Sequence, residues 1–173
     1  LTYDPLRDLK AVTSLGSFPL MLVAGPALPD AVQSPAELVQ WAKTHPGKAS
    51  YGTAAAGSTL QFIGAAFARA AGIDLMHVAY QGGGPAIQNL LGGQIPLSIV
   101  TTGTAVAHVQ AGKLRVLAIT GTSRSAALPT APAFKESGYP DITMKDWYGL
   151  FVPAATSADI VTRLNATTRE ALQ

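Results

Sequence analysis

Ser50-Tyr51-Gly52-Thr53-Ala54-Ala55-Ala56-Gly57-Ser58-Thr59-Leu60-Gln61-Phe62-Ile63-Gly64, continuing to Gly72, is the stretch that decides the fold. A short strand-like piece, Ser50 to Thr53, runs into a loop of small residues. Apolar residues then recur at Leu60, Ile63, Gly64, Phe67, Ala68 and Ala71. That spacing predicts a helix packed along one face. Ser58 is its natural N-cap, since a serine hydroxyl accepts from first-turn amides. The small residues before it let another group approach those amides, at the positive end of the helix dipole. A carboxylate or phosphate suits such a place. A tight turn with an ordinary cap accounts for the same residues, and the stretch alone leaves both readings open.

Outward from there the chain alternates short strands and short helices. Phe18 to Ala24 is a continuous apolar run, read as a buried strand ended by Gly25-Pro26. Ser34-Pro35-Ala36-Glu37 is a helix start with cap, first-turn proline and capping glutamate; Leu38, Val39, Trp41 and Ala42 form its inner face. Downstream, Asp74 to Tyr80 reads as a strand, Gln81 to Gly84 as a glycine loop, and Pro85 to Leu91 as a helix. A third strand, Ile95 to Thr101, leads through Thr102-Gly103-Thr104 into a short helix ending at Ala111-Gly112. Lys113 to Thr120 is the fourth strand. This order argues for an α/β fold with a largely parallel sheet. Ala133 to Gly138 reads as one or two helical turns and Trp147 to Pro153 as an apolar strand. A last helix begins after Thr156-Ser157, with Ile160, Val161, Leu164 and Leu172 inward. Leu20–Ala24 and Tyr148–Val152 are expected to pair, because one apolar strand stands on each side of the central block.

Composition narrows the function. With 173 residues, 48% of them hydrophobic and 13% charged, the chain has the make-up of a globular domain, or one and a fraction. A net charge of +2 without a Lys/Arg cluster argues against nucleic acid, and no apolar run is long enough for membrane insertion. The absence of cysteine excludes disulfides and thiolate chemistry. No histidine pair has metal-ligand spacing and no G-x-S-x-G elbow is present, so neither a metal, a cofactor nor a catalytic residue is expected. His77 reads as a partly buried structural histidine, and Trp41 and Trp147 as core. The chain lacks an initial Met and a signal-peptide core, so any targeting segment is expected outside it.

Seven stretches, in order, resemble one family. They are LTYDPLRDL at Leu1, PGKASYGTAAAGS at Pro46, HVAYQGGGPAIQNLLGGQIPL at His77, HVQAGKLRVLAIT at His108, SRSAALPTAPAFKESGYP at Ser123, WYGLFVPA at Trp147 and IVTRLNA at Ile160. The chain resembles the Bug-type extracytoplasmic solute receptors that serve tripartite tricarboxylate transporters. The resemblance implies a two-lobed periplasmic binding protein, type II-like, that closes on a small carboxylate and delivers it to membrane transporter subunits. It implies one complete lobe over residues 25–146, with 1–24 and 147–173 as parts of the other, and the family's N-terminal glycine-rich hairpin outside this chain. Gln81 stands where many members have Lys, and Val100 and Thr101 where acidic or amide residues are common.

Strand ends in one sheet point their following loops to one edge, which is where α/β sheets bind ligands. The expected site is therefore Ala56, Gly57, Ser58 and Thr59 at the first helix start, bordered by Gln81 and Gly82 and by Thr101 and Thr102. From another class, a single-domain α/β enzyme holding a phosphate-containing ligand at Gln81–Gly84 would require a charged or metal-binding residue in these loops.

Overall fold

The computed structural model describes residues 2–172. They divide into two compact units, Leu1–Phe18 with Trp147–Gln173, and Pro19–Asp146.

The larger unit holds most of the sheet. In chain order its elements are β1 (Leu9–Ala24, entering from the first unit), α1 (Pro35–Thr44), β2 (Ser50–Thr53), α2 (Thr59–Ala71), β3 (Met76–Ala79), α3 (Gly83–Leu91), β4 (Leu97–Thr101), α4 (Thr102–Gln110) and β5 (Arg115–Ile119). The order across the sheet is β3-β2-β4-β1-β5. β2 pairs in parallel with both β3 and β4. β1 lies antiparallel between β4 and β5, with Leu20 opposite Thr101 and Met21 opposite Ile119. The largely parallel sheet is therefore mixed. β1 enters at the carboxyl edge of its neighbours, so it runs against them.

β2 is buried throughout and β4 from Leu97 to Val100, without alternation, as expected of strands covered on both faces; Ser50, Thr53 and Ser98 are their buried polar members. Alternate residues face different helices. Tyr51 lies under Gly64 of α2, whereas the intervening Gly52 faces Ile95 and Tyr80. On that second side Ile87 and Leu90 of α3 and Ala105 of α4 join Met21, Val23 and Val100 in a buried cluster. Phe67 of α2 meets Phe134 and Tyr139 at ring distances of 5.3 and 5.0 Å. Phe134 opens a 3-10 turn (Phe134–Ser137) where one or two helical turns are expected.

Local sequence signals account for the helix starts. Ser34 Oγ accepts from the Glu37 amide at 3.3 Å, and Glu37 Oε2 accepts from the Gln33 amide at 2.8 Å. The Gln33 amide first, and then the Ser34 hydroxyl donating to Glu37 Oε2 at 2.9 Å, hold the Glu37 carboxyl below its ordinary pKa. α3 begins at Gly83, two residues before the expected Pro85, because a proline in the first turn needs no N–H partner. At the far end of α2, Gly72 closes the helix at φ 61°, the left-handed conformation that suits glycine. Arg115 clamps the loop after β1, donating to Asp30 Oδ1 at 2.7 Å and to the Leu28 and Pro29 carbonyls at 3.0 Å.

The smaller unit contains a short helical turn (Pro5–Asp8), the first half of β1, β6 (Lys145–Pro153) and α5 (Ala158–Ala171). β6 pairs with β1, but not through Leu20–Ala24, whose two edges are already taken by β4 and β5. It meets the first half: the Ala154 amide donates to the Asp8 carbonyl at 2.9 Å, and the Tyr148 and Phe18 rings lie 4.9 Å apart. Asn165 Nδ2 ties α5 to the Val12 carbonyl at 2.6 Å.

One burial expectation is corrected: Trp147 is 55% exposed rather than core. Ile160 on α5 and Leu172 just past its end are also open, at 49% and 54% exposed. Trp41 is only half buried and stacks on His45 at 5.1 Å.

Candidate functional site

Three neighbouring strands, β3, β2 and β4, run in one direction, so the loops after them meet at one edge. Each loop opens a helix. The structure brings the three together: the Gly82 amide donates to the Ala54 carbonyl at 2.8 Å, joining the first two loops. A Cβ on Gly83 would stand 3.1 Å from Thr104 Cγ2, so the starts of α3 and α4 are in touch as well.

The first loop is held by a reciprocal pair of bonds that extends the expected serine cap. Ser58 Oγ accepts from the Gln61 amide at 3.4 Å, while Gln61 Oε1 accepts from the Gly57 amide at 2.7 Å. Gly57 was expected to offer its amide to an anion; that donor is instead taken by Gln61. The Ser58 hydroxyl donates to the Ala55 carbonyl at 2.8 Å. Thr101 and Thr102 are likewise engaged, Thr101 Oγ1 with Thr104 Oγ1 at 2.7 Å and Thr102 Oγ1 with the Pro19 carbonyl at 2.9 Å.

Open donors remain at the helix starts. Among the described residues, the amides of Ala56, Thr59 and Leu60 reach no protein acceptor. Gly82, at φ 109°, and Thr101 make no side-chain cap, so the first turns of α3 and α4 are open too. The Gly83 and Gly84 amides join the expected donors because the helix starts ahead of Pro85. Gln81 is exposed at the rim.

Behind the loop stand two residues that no spacing along the chain connects with it. Thr53 is fully buried, and its Oγ1 lies 3.0 Å from the Ala55 carbonyl and 2.7 Å from His77 Nε2. Burial depresses the His77 pKa, which keeps the ring neutral near pH 7. The register sets this contact: Tyr51 pairs with His77, and Thr53, two residues on, shares their face. Further along the same edge, Thr120, Ser123, Arg124 and Lys145 line a cavity of ≈ 170 Å³ beyond β5.

The eight expected residues carry Ala, Gly, Ser, Thr and Gln only. This set can donate hydrogen bonds to an oxyanion but holds no charged acid or base. Among the described residues no group of three His, Cys, Asp or Glu is placed to hold a metal. No helix is long and apolar enough to cross a membrane.

The chain is similar to known proteins over its whole length. The model of the tripartite tricarboxylate transporter family receptor matches residues 1–173. Protein BugT of Bordetella pertussis is 33% identical over 173 residues, which are all of this chain and 52% of that protein. The chain thus spans about half the length of the relatives it matches. A structure of an R. palustris protein with adipate superposes with a TM-score of 0.91 at 31% identity, over 96% of this chain and 55% of that one. MatC from Rhodopseudomonas palustris with bound malate gives 0.87 at 28% identity, over 99% and 57%.

Proposed function

The chain belongs to the tripartite tricarboxylate transporter receptor family, and on that premise we propose that it supplies one wall of a carboxylate-binding cleft. Pro19–Asp146 serves as the complete lobe, while Leu1–Phe18 and Trp147–Gln173 contribute to the second. The protein works as a non-catalytic periplasmic receptor, passing its ligand to the membrane subunits of a tripartite transporter.

One observation carries the reading: three helix starts with open amides converge at the carboxyl edge of three parallel strands. Such donors suit a carboxylate, and no general base stands among them to transform it. Ala56, Ser58 and Thr59 hold one end of the acid, with Gly57 in the turn between them, bordered by Gln81 and Gly82 and by Thr101 and Thr102. The adipate and malate of the two structural relatives are dicarboxylates, which points to small dicarboxylates as the first acids to try.

Calorimetric titration of the full-length protein with malate, adipate, citrate and their neutral amides tests the proposal. The expected result is binding of at least one acid, unaltered on recovery, and no binding of its amide. Equal binding of acid and amide, or chemical turnover of the acid, overturns it.

A further inference from the structure

Building on the carboxylate reading above, we propose that Thr53, oriented by His77, is a positioning residue. It keeps the Ala55 carbonyl hydrogen-bonded when Ser58 turns its hydroxyl toward a bound anion.

The proton count leads to this role. The Ala55 carbonyl has two donors within reach, Thr53 Oγ1 at 3.0 Å and Ser58 Oγ at 2.8 Å. Each hydroxyl carries one proton. If Thr53 gives its proton to Ala55, the 2.7 Å contact with His77 Nε2 must run the other way, from the ring N–H to the threonine oxygen. This order satisfies all three groups and assigns neutral His77 the Nε2–H tautomer. The reverse order would spend the threonine proton on the ring and leave Ala55 to Ser58 alone.

Ser58 can serve an anion only by leaving Ala55. With Thr53 in place the carbonyl retains a donor during that exchange, so the change of partner strands no polar group. Without it, the hydrogen bond gained by the ligand is offset by one lost in the loop. The Ala54 carbonyl is held separately by Gly82, so the loop's remaining anchor is unaffected by the exchange.

The test uses the full-length protein and an acid drawn from malate, adipate and citrate. Thr53→Val is expected to weaken binding roughly fivefold, the usual worth of one neutral hydrogen bond, while Thr53→Ser restores it to within about twofold. In a Ser58→Ala background the same Thr53→Val change is expected to alter affinity by less than about twofold, because the hydroxyl it serves is gone. Equal losses in both backgrounds overturn the role and leave Thr53 a packing residue. Long-range 1H–15N NMR of the His77 ring needs neither variant nor ligand. The Nε2–H tautomer supports the proton order, and Nδ1–H overturns it. If wild type binds none of the acids, the receptor reading falls and this role with it; a bound acid with equal losses removes the role alone.

Discussion

Gly64→Ala isolates the packing that seats α2, and with it the Ser58 loop, on the sheet. In most helices alanine for glycine gains about 1 kcal/mol. Here a Cβ would stand 2.2 Å from Tyr51 Cε2, 2.3 Å from Cζ and 2.8 Å from Oη. The first distance is more than 1 Å short of ordinary carbon contact, about 3.5 Å. The ring has little room to retreat: Tyr51 is 2% exposed and its hydroxyl donates to the Gln61 carbonyl at 2.9 Å. Either α2 lifts or that bond breaks. Overpacking of this kind costs about 1–3 kcal/mol, and losing a buried hydrogen bond adds about 1 kcal/mol. Set against the propensity gain, the net loss is about 1–3 kcal/mol. Urea denaturation of the full-length protein, read by circular dichroism, measures it. Gly103→Ala is the control: it lies at the start of α4 with nothing within 4 Å of its added Cβ, so its stability should hold or rise by up to about 1 kcal/mol. A Gly64→Ala protein as stable as wild type would refute the close fit of α2 on Tyr51.

Ser58→Ala should weaken acid binding roughly tenfold or more in a calorimetric titration, and lower stability by about 1 kcal/mol as the α2 cap is lost. His77 has a folded pKa below its unfolded value of about 6.5, so the unfolded chain takes up the proton first. Its contribution therefore makes stability fall as pH drops from about 7 through 6.5 and level off below the folded pKa. His77→Gln should flatten that part of a denaturation profile taken against pH. Ser34→Ala should cost about 1 kcal/mol through the cap of α1, measured by urea denaturation. Arg115→Lys should cost about 1–2 kcal/mol in the same assay, because one ammonium cannot reach Asp30 and both loop carbonyls. Asp30→Asn should change stability by less than about 0.5 kcal/mol, since Asp30 is 96% exposed.

By itself the sequence determined the local starts and stops. Ser34-Pro35-Ala36-Glu37 and Ser58-Thr59-Leu60-Gln61 can close their caps from neighbours three residues away, so those helices were legible in place. The apolar runs Leu20–Ala24 and Leu97–Val100 announced strands buried on both faces. The strand-loop-helix alternation placed the site's three loops at one edge. Only the tertiary structure decided what lies beside what. Periodicity records how apolar a face is, not which element covers it, so Trp147 reads like core and stands exposed. The antiparallel seat of β1 between β4 and β5 follows from the edge at which the chain enters the sheet, a long-range fact without a local signal. The same holds for donors and acceptors. Gly57 gives its amide to Gln61, and Thr53 meets His77 across 24 positions of sequence, because strand register brings together groups that spacing along the chain keeps apart.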